Sequence, residues 1–176
     1  MVTSARFPRR ARGGVTRWVL LALLVSVAAA AAIALHTAFT EGDTVFSWKR
    51  PEHLGLKDGR LAPCKRTPNC VSSQADSADA QHYIEPLRFE GGAAQAMAAL
   101  RKTVAGMART RVIRETPGYL YAEFRSKLLG YVDDVEFVFD ERAGVIHVRS
   151  ASRLGRRDFD VNRKRIEAVR ARLGRA

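Results

Sequence analysis

An uncharged apolar run near the N-terminus, WVLLALLVSVAAAAAIAL from Trp18 to Leu35, constrains this chain more than any other feature. The residues before it, 1–17, carry five arginines and no acidic residue. A basic segment followed by an apolar stretch is typical of sequences that target a protein for export. The run exceeds an ordinary signal core and reaches the lower limit for a helix that spans a bilayer. We therefore predict an N-terminal transmembrane or signal helix.

The charges around the apolar run predict its orientation. The positive-inside rule keeps the arginine-rich residues 1–17 in the cytoplasm, so the chain after Leu35 is exported. The run is either a retained single-pass anchor in the cell membrane or a cleaved signal, for which Ala30–Ala32 offer small residues at a cleavage site. Residues 36–60 are then a tether or lead-in, and residues 61–174 form a single periplasmic or extracellular domain.

The two cysteines, Cys64 and Cys70, lie in the short stretch PCKRTPNC. In an oxidising compartment such a pair predicts a disulfide. Pro63 and Pro68 stiffen the loop, and Asn69 suits a turn. A redox-active pair would normally have C-x-x-C spacing, and a zinc site would need four ligands at recognisable spacing. Both alternatives stay open, but the pattern favours a structural disulfide.

Two segments have helical periodicity. Apolar residues recur at helical spacing within residues 91–110, and again near the C-terminus after Asp158 or Asp160, either of which can cap a helix. Gly174 suits the end of the second helix. The predicted inward stripes are Met97, Leu100, Val104 and Met107 in the first helix and Asn162, Ile166, Val169 and Leu173 in the second.

Strand signals lie at residues 84–89 and between the two helices. Pro117-Gly118 suits the type II turn of a first hairpin, and residues 140–144 form the turn of a second. Leu120, Ala122 and Phe124 alternate onto one face. These elements predict an α+β fold in which an antiparallel sheet of about five strands has two helices packed on one face.

The second hairpin has a register that its apolar residues fix. Phe137 and Val148 must face the core together, because a slip of one residue would turn either strand around. Arg149 then lies on the opposite face, beside Asp134 or Glu136.

Four stretches together resemble the domain-of-unknown-function family numbered 1499, found mostly in bacteria. They are LAPCKRTPNCVSS (61–73), YLYAEF (119–124), GYVDDVEF (130–137) and VRSASRLGRRDFDVNRKRIE (148–167). The resemblance covers residues 61–173 and departs from the family pattern at Phe159-Asp160, where a leucine-glycine pair is expected. The family carries no established activity, so the resemblance implies no substrate, metal or cofactor.

Chemistry-bearing residues concentrate near the second hairpin. The candidate ligand-binding residues are Asp133, Asp134, Arg149, Ser150, Ser152 and Arg153. Hydroxyl and guanidinium groups before a helix N-terminus suit an anion. Adjacent strand residues face opposite ways, so the two aspartates are a poor acid–base pair. The structural alternative is that Arg153 pairs with an aspartate and the serines fix the loop.

The basic excess of the exported part lies in its last segment. Residues 36–148 are balanced, whereas residues 149–176 hold ten basic and three acidic residues, a balance of +7. Such a segment is either a solvated helix face or a surface that attracts anionic lipid headgroups or an acidic envelope protein, and export makes nucleic acid an unsuitable partner. Without a recognisable nucleophile, metal or cofactor motif, the sequence favours a non-catalytic binding or envelope-accessory module for an anionic or amphipathic ligand or a partner protein. The alternative is a small hydrolase or transferase that uses Asp133, Asp134 and residues 149–153.

Overall fold

The computed structural model describes residues 13–40 and 49–174 of the chain, with side chains for residues 18–31 in the first of these parts. Gly13–Thr40 form the helix α1, whose described side chains are exposed. Among the described residues, no helix combines the length and apolar character needed to cross a membrane. The predicted membrane helix is therefore not confirmed, and most of its basic flank lies outside the described residues. Residues 49–174 belong to a separate compact unit.

Six antiparallel strands form a single sheet with the strand order β1-β6-β5-β4-β3, and β2 also pairs with β6. The elements are β1 (Cys70–Ser72), β2 (Leu87–Arg88), the helix α2 (Ala93–Ala105), β3 (Thr110–Thr116), β4 (Tyr119–Arg125), β5 (Val132–Asp140), β6 (Val145–Ser152) and the helix α3 (Val161–Leu173). The predicted α+β architecture is confirmed with six strands instead of five. The additional strand, β1, has only three residues, which is too short to display an alternating pattern.

The hydrophobic core lies on the face of the sheet that contacts α2 and α3, which we term the helix face. Leu100 and Val104 of α2 and Ile166 and Val169 of α3 are fully buried there. The strands contribute alternate residues to the same cluster, namely Leu120, Ala122, Phe124, Val135, Phe137, Ile146 and Val148. The predicted strand alternation and both helix stripes are confirmed, except that Met107 packs against the core from beyond the end of α2 at Ala105.

The predicted hairpin register is also correct. Phe137 lies opposite Val148, and Glu136 lies opposite Arg149. Gly118 has a φ of +78°, the left-handed conformation that the third position of a type II turn requires. Glu136 and Arg149 therefore point away from the core, to what we term the second face of the sheet.

A disulfide joins Cys64 to Cys70 with their Cα atoms 5.6 Å apart, as predicted. Because Cys70 is the first residue of β1, the bond ties the preceding loop to the sheet. The side chain of Asn69 is buried and donates from Nδ2 to the carbonyl of Gly155 at 2.7 Å. The disulfide loop is thereby joined to the loop that follows β6.

The start of α3 has an unusual backbone. Asp158 supplies the cap, because its Oδ2 accepts the N–H of Asn162 at 2.8 Å. Asp160 stands at the cap position without a side-chain hydrogen bond to the helix. Phe159 and Asp160 both have positive φ, at +54° and +63°. Glycine adopts this conformation without steric cost, so the aspartate that stands at position 160, where the family pattern expects glycine, leaves a strained backbone.

This strain predicts the order of stability of two variants. Asp160→Gly and Asp160→Ala both remove the carboxylate, but only alanine keeps the Cβ atom that the left-handed conformation opposes. We expect Asp160→Ala to unfold with a free energy about 1 kcal/mol lower than Asp160→Gly. Urea titration of the two proteins gives the comparison, and equal stabilities would show that the backbone at this position is relaxed.

Candidate functional site

The six candidate residues fall on the two faces of the sheet. Asp133, Ser150 and Ser152 have partners on the helix face, and Asp134, Arg149 and Arg153 have partners on the second face. The alternation of side chains along β5 and β6 explains the division. Arg149, Ser150, Ser152 and Arg153 therefore do not form one anion site at the start of α3, since only the two serines reach its first turn.

The two serines bind Asn162, a fully buried residue in the first turn of α3. Ser150 donates from Oγ to Asn162 Oδ1 at 2.5 Å. Asn162 Nδ2 lies 2.9 Å from Ser152 Oγ and 3.1 Å from the carbonyl oxygen of Asn69. One amide thus connects β6, α3 and the disulfide loop. The asparagine in an otherwise apolar helix stripe was the sequence signal for this polar contact.

Asp133 also faces α3. Its carboxylate accepts from Nη2 of Arg165, and both side chains are about nine-tenths buried. The Arg165 guanidinium also lies 4.8 Å from the centroid of the Phe124 ring, a cation–π contact. Asp133 is therefore engaged in holding α3 against the sheet.

The second face carries a buried charge network, which we define as Glu123, Asp134, Glu136, Arg149 and Arg153. The exposed fraction of each of these side chains is 6% or less. Arg153 donates to Asp134 from Nε at 2.9 Å and from Nη2 at 2.7 Å, and it also pairs with Glu123. Arg149 donates from Nη1 to Glu136 at 3.3 Å. The pairing of Arg153 with an aspartate confirms the structural alternative for that residue.

Two tyrosine hydroxyls complete the hydrogen bonding of the buried carboxylates. Tyr121 donates to Asp134 at 2.6 Å, and Tyr119 donates to Glu136 at 2.8 Å. Burial, followed by the neighbouring carboxylates, raises the pKa of both tyrosines far above the ordinary value. Both hydroxyls stay protonated and remain hydrogen-bond donors to the carboxylates.

The described part of the lead-in covers this network. Arg50 donates to Glu123 from Nη2 at 2.7 Å and from Nε at 3.1 Å. The backbone N–H of Gly55 donates to Glu136 at 2.7 Å. Leu54 and Leu61 pack against a small second cluster formed by Tyr119, Tyr121 and Val138. These contacts could not be predicted from the sequence, because residues 49–60 lack a periodic pattern, and Arg50 and Gly55 lie more than 70 positions from Glu123 and Glu136.

The electrostatics of the network favour its charged form. Burial alone would raise the pKa of Glu123, but hydrogen bonds from Arg50 and Arg153 outweigh burial and lower it. Burial alone would lower the pKa of Arg153, but its bonds to Asp134 and Glu123 raise it. Each charge is thus stabilised by its partners, and removing one partner would leave a buried charge uncompensated.

A small basic cavity of about 40 Å³ borders the network. Its walls include Lys65, Arg149 and Arg153, together with His53 of the lead-in. The Nε atom of Arg149 is buried and has no hydrogen-bond partner among the described residues. A cavity of this size admits a water-sized or small anionic group, and Arg149 would donate to such a group.

A larger cavity of about 840 Å³ lies between the lead-in, the disulfide loop and the segment after β1. Leu54, Leu56 and Leu61 supply part of its apolar wall. Asp79 and His82 supply a polar wall, where His82 Nδ1 lies 2.7 Å from Asp79 Oδ2. The hydrogen bond with His82 lowers the pKa of Asp79. The cavity therefore presents both apolar and polar groups to a ligand.

A histidine and a serine are in contact at His147 and Ser73. Their Nδ1 and Oγ atoms lie 3.1 Å apart, and burial lowers the pKa of His147. The Ser73 hydroxyl also accepts the N–H of Val148 at 2.9 Å and is almost fully buried. This serine therefore joins the segment after β1 to β6, and it lacks the accessibility that a nucleophile needs.

Comparison with known proteins identifies the family. The family model described as "Protein of unknown function (DUF1499)" matches residues 60–173, about two thirds of the chain. The chain belongs to this family. No curated protein and no solved structure matches the chain.

The DUF1499 match includes the disulfide, all six strands and both helices of the domain. It therefore contains every residue of the buried charge network. Arg50 and Gly55, which cover the network, lie outside the matched residues. These lead-in residues therefore lie outside the part of the chain that the family model matches.

The buried network predicts a large loss of stability for Arg153→Ala. The substitution would leave the buried carboxylates of Asp134 and Glu123 without their shared cation. We expect the free energy of unfolding to fall by about 3–5 kcal/mol, as measured by urea titration. Arg156→Ala, in the exposed part of the same loop, is the matched control and should change stability by less than about 0.5 kcal/mol. Similar small effects for both variants would contradict the structural role of Arg153.

Glu123 predicts an acid-dependent loss of stability. Because its pKa is lower in the folded protein than its ordinary value of 4.5, its contribution is present above pH 4.5 and is lost as the pH falls through the folded-state pKa. We expect the unfolding free energy of Glu123→Gln to fall less steeply than that of the natural protein below pH 4.5. Urea titrations over this range measure both slopes. Parallel slopes for the two proteins would show that Glu123 does not titrate differently on folding.

Proposed function

We propose that this DUF1499 protein is an exported, non-catalytic ligand-binding module of the cell envelope. Its ligand is amphipathic and occupies the larger cavity beneath the lead-in. The apolar part contacts Leu54, Leu56 and Leu61. A small anionic group points to Lys65 and Arg149 in the basic cavity, because His53 lines both cavities.

The large cavity is the observation that carries this proposal. Its volume of about 840 Å³ lies in the range of small-molecule sites, and its walls combine apolar side chains with a larger number of polar and charged groups, which suits an amphipathic ligand. The lead-in forms one wall and is held to the sheet by Arg50 and Gly55. A ligand there would lie between the lead-in and the disulfide loop.

The alternative of a small hydrolase or transferase has less support. Asp133 is paired with Arg165, Asp134 with Arg153, and Ser150 with Asn162. Groups that are satisfied by internal partners are poor nucleophiles and bases, since chemistry would first have to break those contacts. The same pairings favour a scaffold role for these candidates.

Export is supported by the disulfide and by the N-terminal sequence. A bond between Cys64 and Cys70 persists in oxidising compartments and is rare in the cytoplasm. The arginine-rich residues 1–17 and the apolar residues 18–35 have the composition of an export signal, either retained as an anchor or cleaved. We therefore place the domain on the outer side of the membrane.

Native mass spectrometry of the full chain, isolated from its own envelope, tests the proposal. We expect a co-purifying amphipathic molecule, together with the mass deficit of one disulfide. Leu56→Ser should bind this molecule about fivefold more weakly, because it removes half-exposed apolar surface from the cavity wall. The same spectrum reports whether residues 1–35 remain on the protein.

Val161→Ser is the matched control, because Val161 is 46% exposed and Leu56 is 45% exposed, and Val161 lies outside the cavity. It should retain the co-purifying molecule at the level of the natural protein. Free thiols and a protein without any bound molecule would refute both parts of the proposal. Turnover of a substrate by the purified protein would favour the enzymatic alternative.

A further inference from the structure

We propose that one end of the sheet is a docking surface for an anionic lipid bilayer. We term it the loop end and define it as the loop between β4 and β5 (residues 126–131), the loop between β6 and α3 (residues 153–160) and Arg109. This surface is separate from the larger cavity, and it meets the basic cavity only at Arg153. The proposal rests on the proposed export of the domain, because export places the domain beside the outer side of a membrane. It depends on no other part of the proposed function.

Large apolar side chains are exposed at the tips of both loops. Leu128 is 84% exposed and Leu129 is 51% exposed in the first loop, and Phe159 is 82% exposed in the second. Tyr131 adds a partly exposed aromatic ring to the first loop. Single exposed apolar residues are common, but several on adjacent loops mark a surface that contacts an apolar phase or a partner.

The sheet topology brings the two loops together at one end. β4 ends at Arg125, which lies opposite Val132 at the start of β5. The N–H of Arg153, directly after β6, donates to the carbonyl of Val132 at 3.1 Å. Both loops therefore leave the sheet at the same end of its strands. The N–H of Arg125 donates to the carbonyl of Arg109, which places the start of β3 at this end as well.

Basic side chains surround the apolar tips. Lys127 adjoins Leu128, and Arg156 and Arg157 precede Phe159; these three basic residues and Arg109 are exposed. The acidic residues in the two loops are Asp158, which caps α3, and Asp160. The loop end therefore carries a positive balance. Apolar side chains flanked by lysine and arginine are the combination that binds a membrane interface, because the apolar groups enter the acyl boundary and the cations meet anionic headgroups.

The chain enters the domain close to this surface. Arg50 pairs with Glu123, which is two residues from the end of β4. A domain retained at a membrane through residues 18–35 would therefore have its entry point and its apolar tips at the same end. This common position favours a bilayer over an acidic protein as the partner of the loop end.

A fluorescent probe at residue 128 of the full chain tests the proposal. Leu128→Cys provides a single free thiol, because the two natural cysteines are joined in the disulfide. An environment-sensitive dye on this thiol reports on its own surroundings, so attachment of residues 18–35 to the vesicle does not by itself shift the signal. Ala143→Cys, in the exposed turn between β5 and β6 at the opposite end of the sheet, is the matched control.

The labelled proteins are mixed with vesicles of phosphatidylcholine, either alone or with phosphatidylglycerol. With phosphatidylglycerol, we expect the emission at residue 128 to shift to shorter wavelength and to lose its quenching by aqueous acrylamide. The probe at residue 143 should stay quenched in both vesicles. Added salt should reverse the shift at residue 128, since exposed charges are screened.

A charge-reversed protein separates the electrostatic contribution. Each basic residue near an anionic surface strengthens binding roughly fivefold, so Arg156→Glu together with Arg157→Glu should greatly reduce the shift at residue 128. Both residues are exposed, and the urea midpoint of the double variant should match that of the natural protein.

Two outcomes would overturn the proposal. One is equal acrylamide quenching at residues 128 and 143 in vesicles that contain phosphatidylglycerol. The other is protection of residue 128 in native envelope fractions without protection in protein-free vesicles, which would assign the loop end to a protein partner. Neither outcome affects whether mass spectrometry detects a co-purifying molecule. Failure of the docking surface is therefore distinguishable from failure of the proposed ligand site.

Discussion

The guanidinium of Arg153 holds the second face of this sheet together. Glu123 on β4 and Asp134 on β5 are direct cross-strand neighbours, and two carboxylates in that position repel each other. Arg153 lies between them and bonds to both. This arginine directly follows β6. The pairing of β4 with β5 therefore depends on a residue that belongs to neither strand. The path of the loop into α3 is constrained by the same contact.

Most of the fold could be predicted from the sequence, because burial of apolar side chains imposes alternation on strands and helical periodicity on helices. Val148 and Phe137 fixed the hairpin register, and that register placed Arg149 opposite Glu136. The short strand β1 could not be predicted, since three residues give no period. The positive φ at Phe159 could not be predicted, because phenylalanine does not require that conformation, whereas the glycine that the family pattern expects at position 160 was a signal for the positive φ of Asp160.

The candidate site was less predictable than the fold. Residues 149–153 are adjacent in the sequence, but strand alternation sends Arg149 and Ser150 to different faces. The buried carboxylate Glu123 was missed because its partners, Arg50 and Arg153, are distant in sequence. The pair of Arg149 and Glu136 followed from the hairpin register, but an ion pair between residues of separate loops or strands leaves no periodic signal.

The lead-in has a consequence for how the domain can be isolated from the rest of the chain. A fragment cut at the start of the DUF1499 match, at residue 60, would lack Arg50 and Gly55. Glu123 would keep Arg153 but lose a second cation, and Glu136 would lose a backbone donor. The aromatic rings of Tyr119 and Tyr121 would also lose their contact with Leu54. The boundary of the family is therefore not the boundary of the folding unit, which begins at least ten residues earlier in this chain.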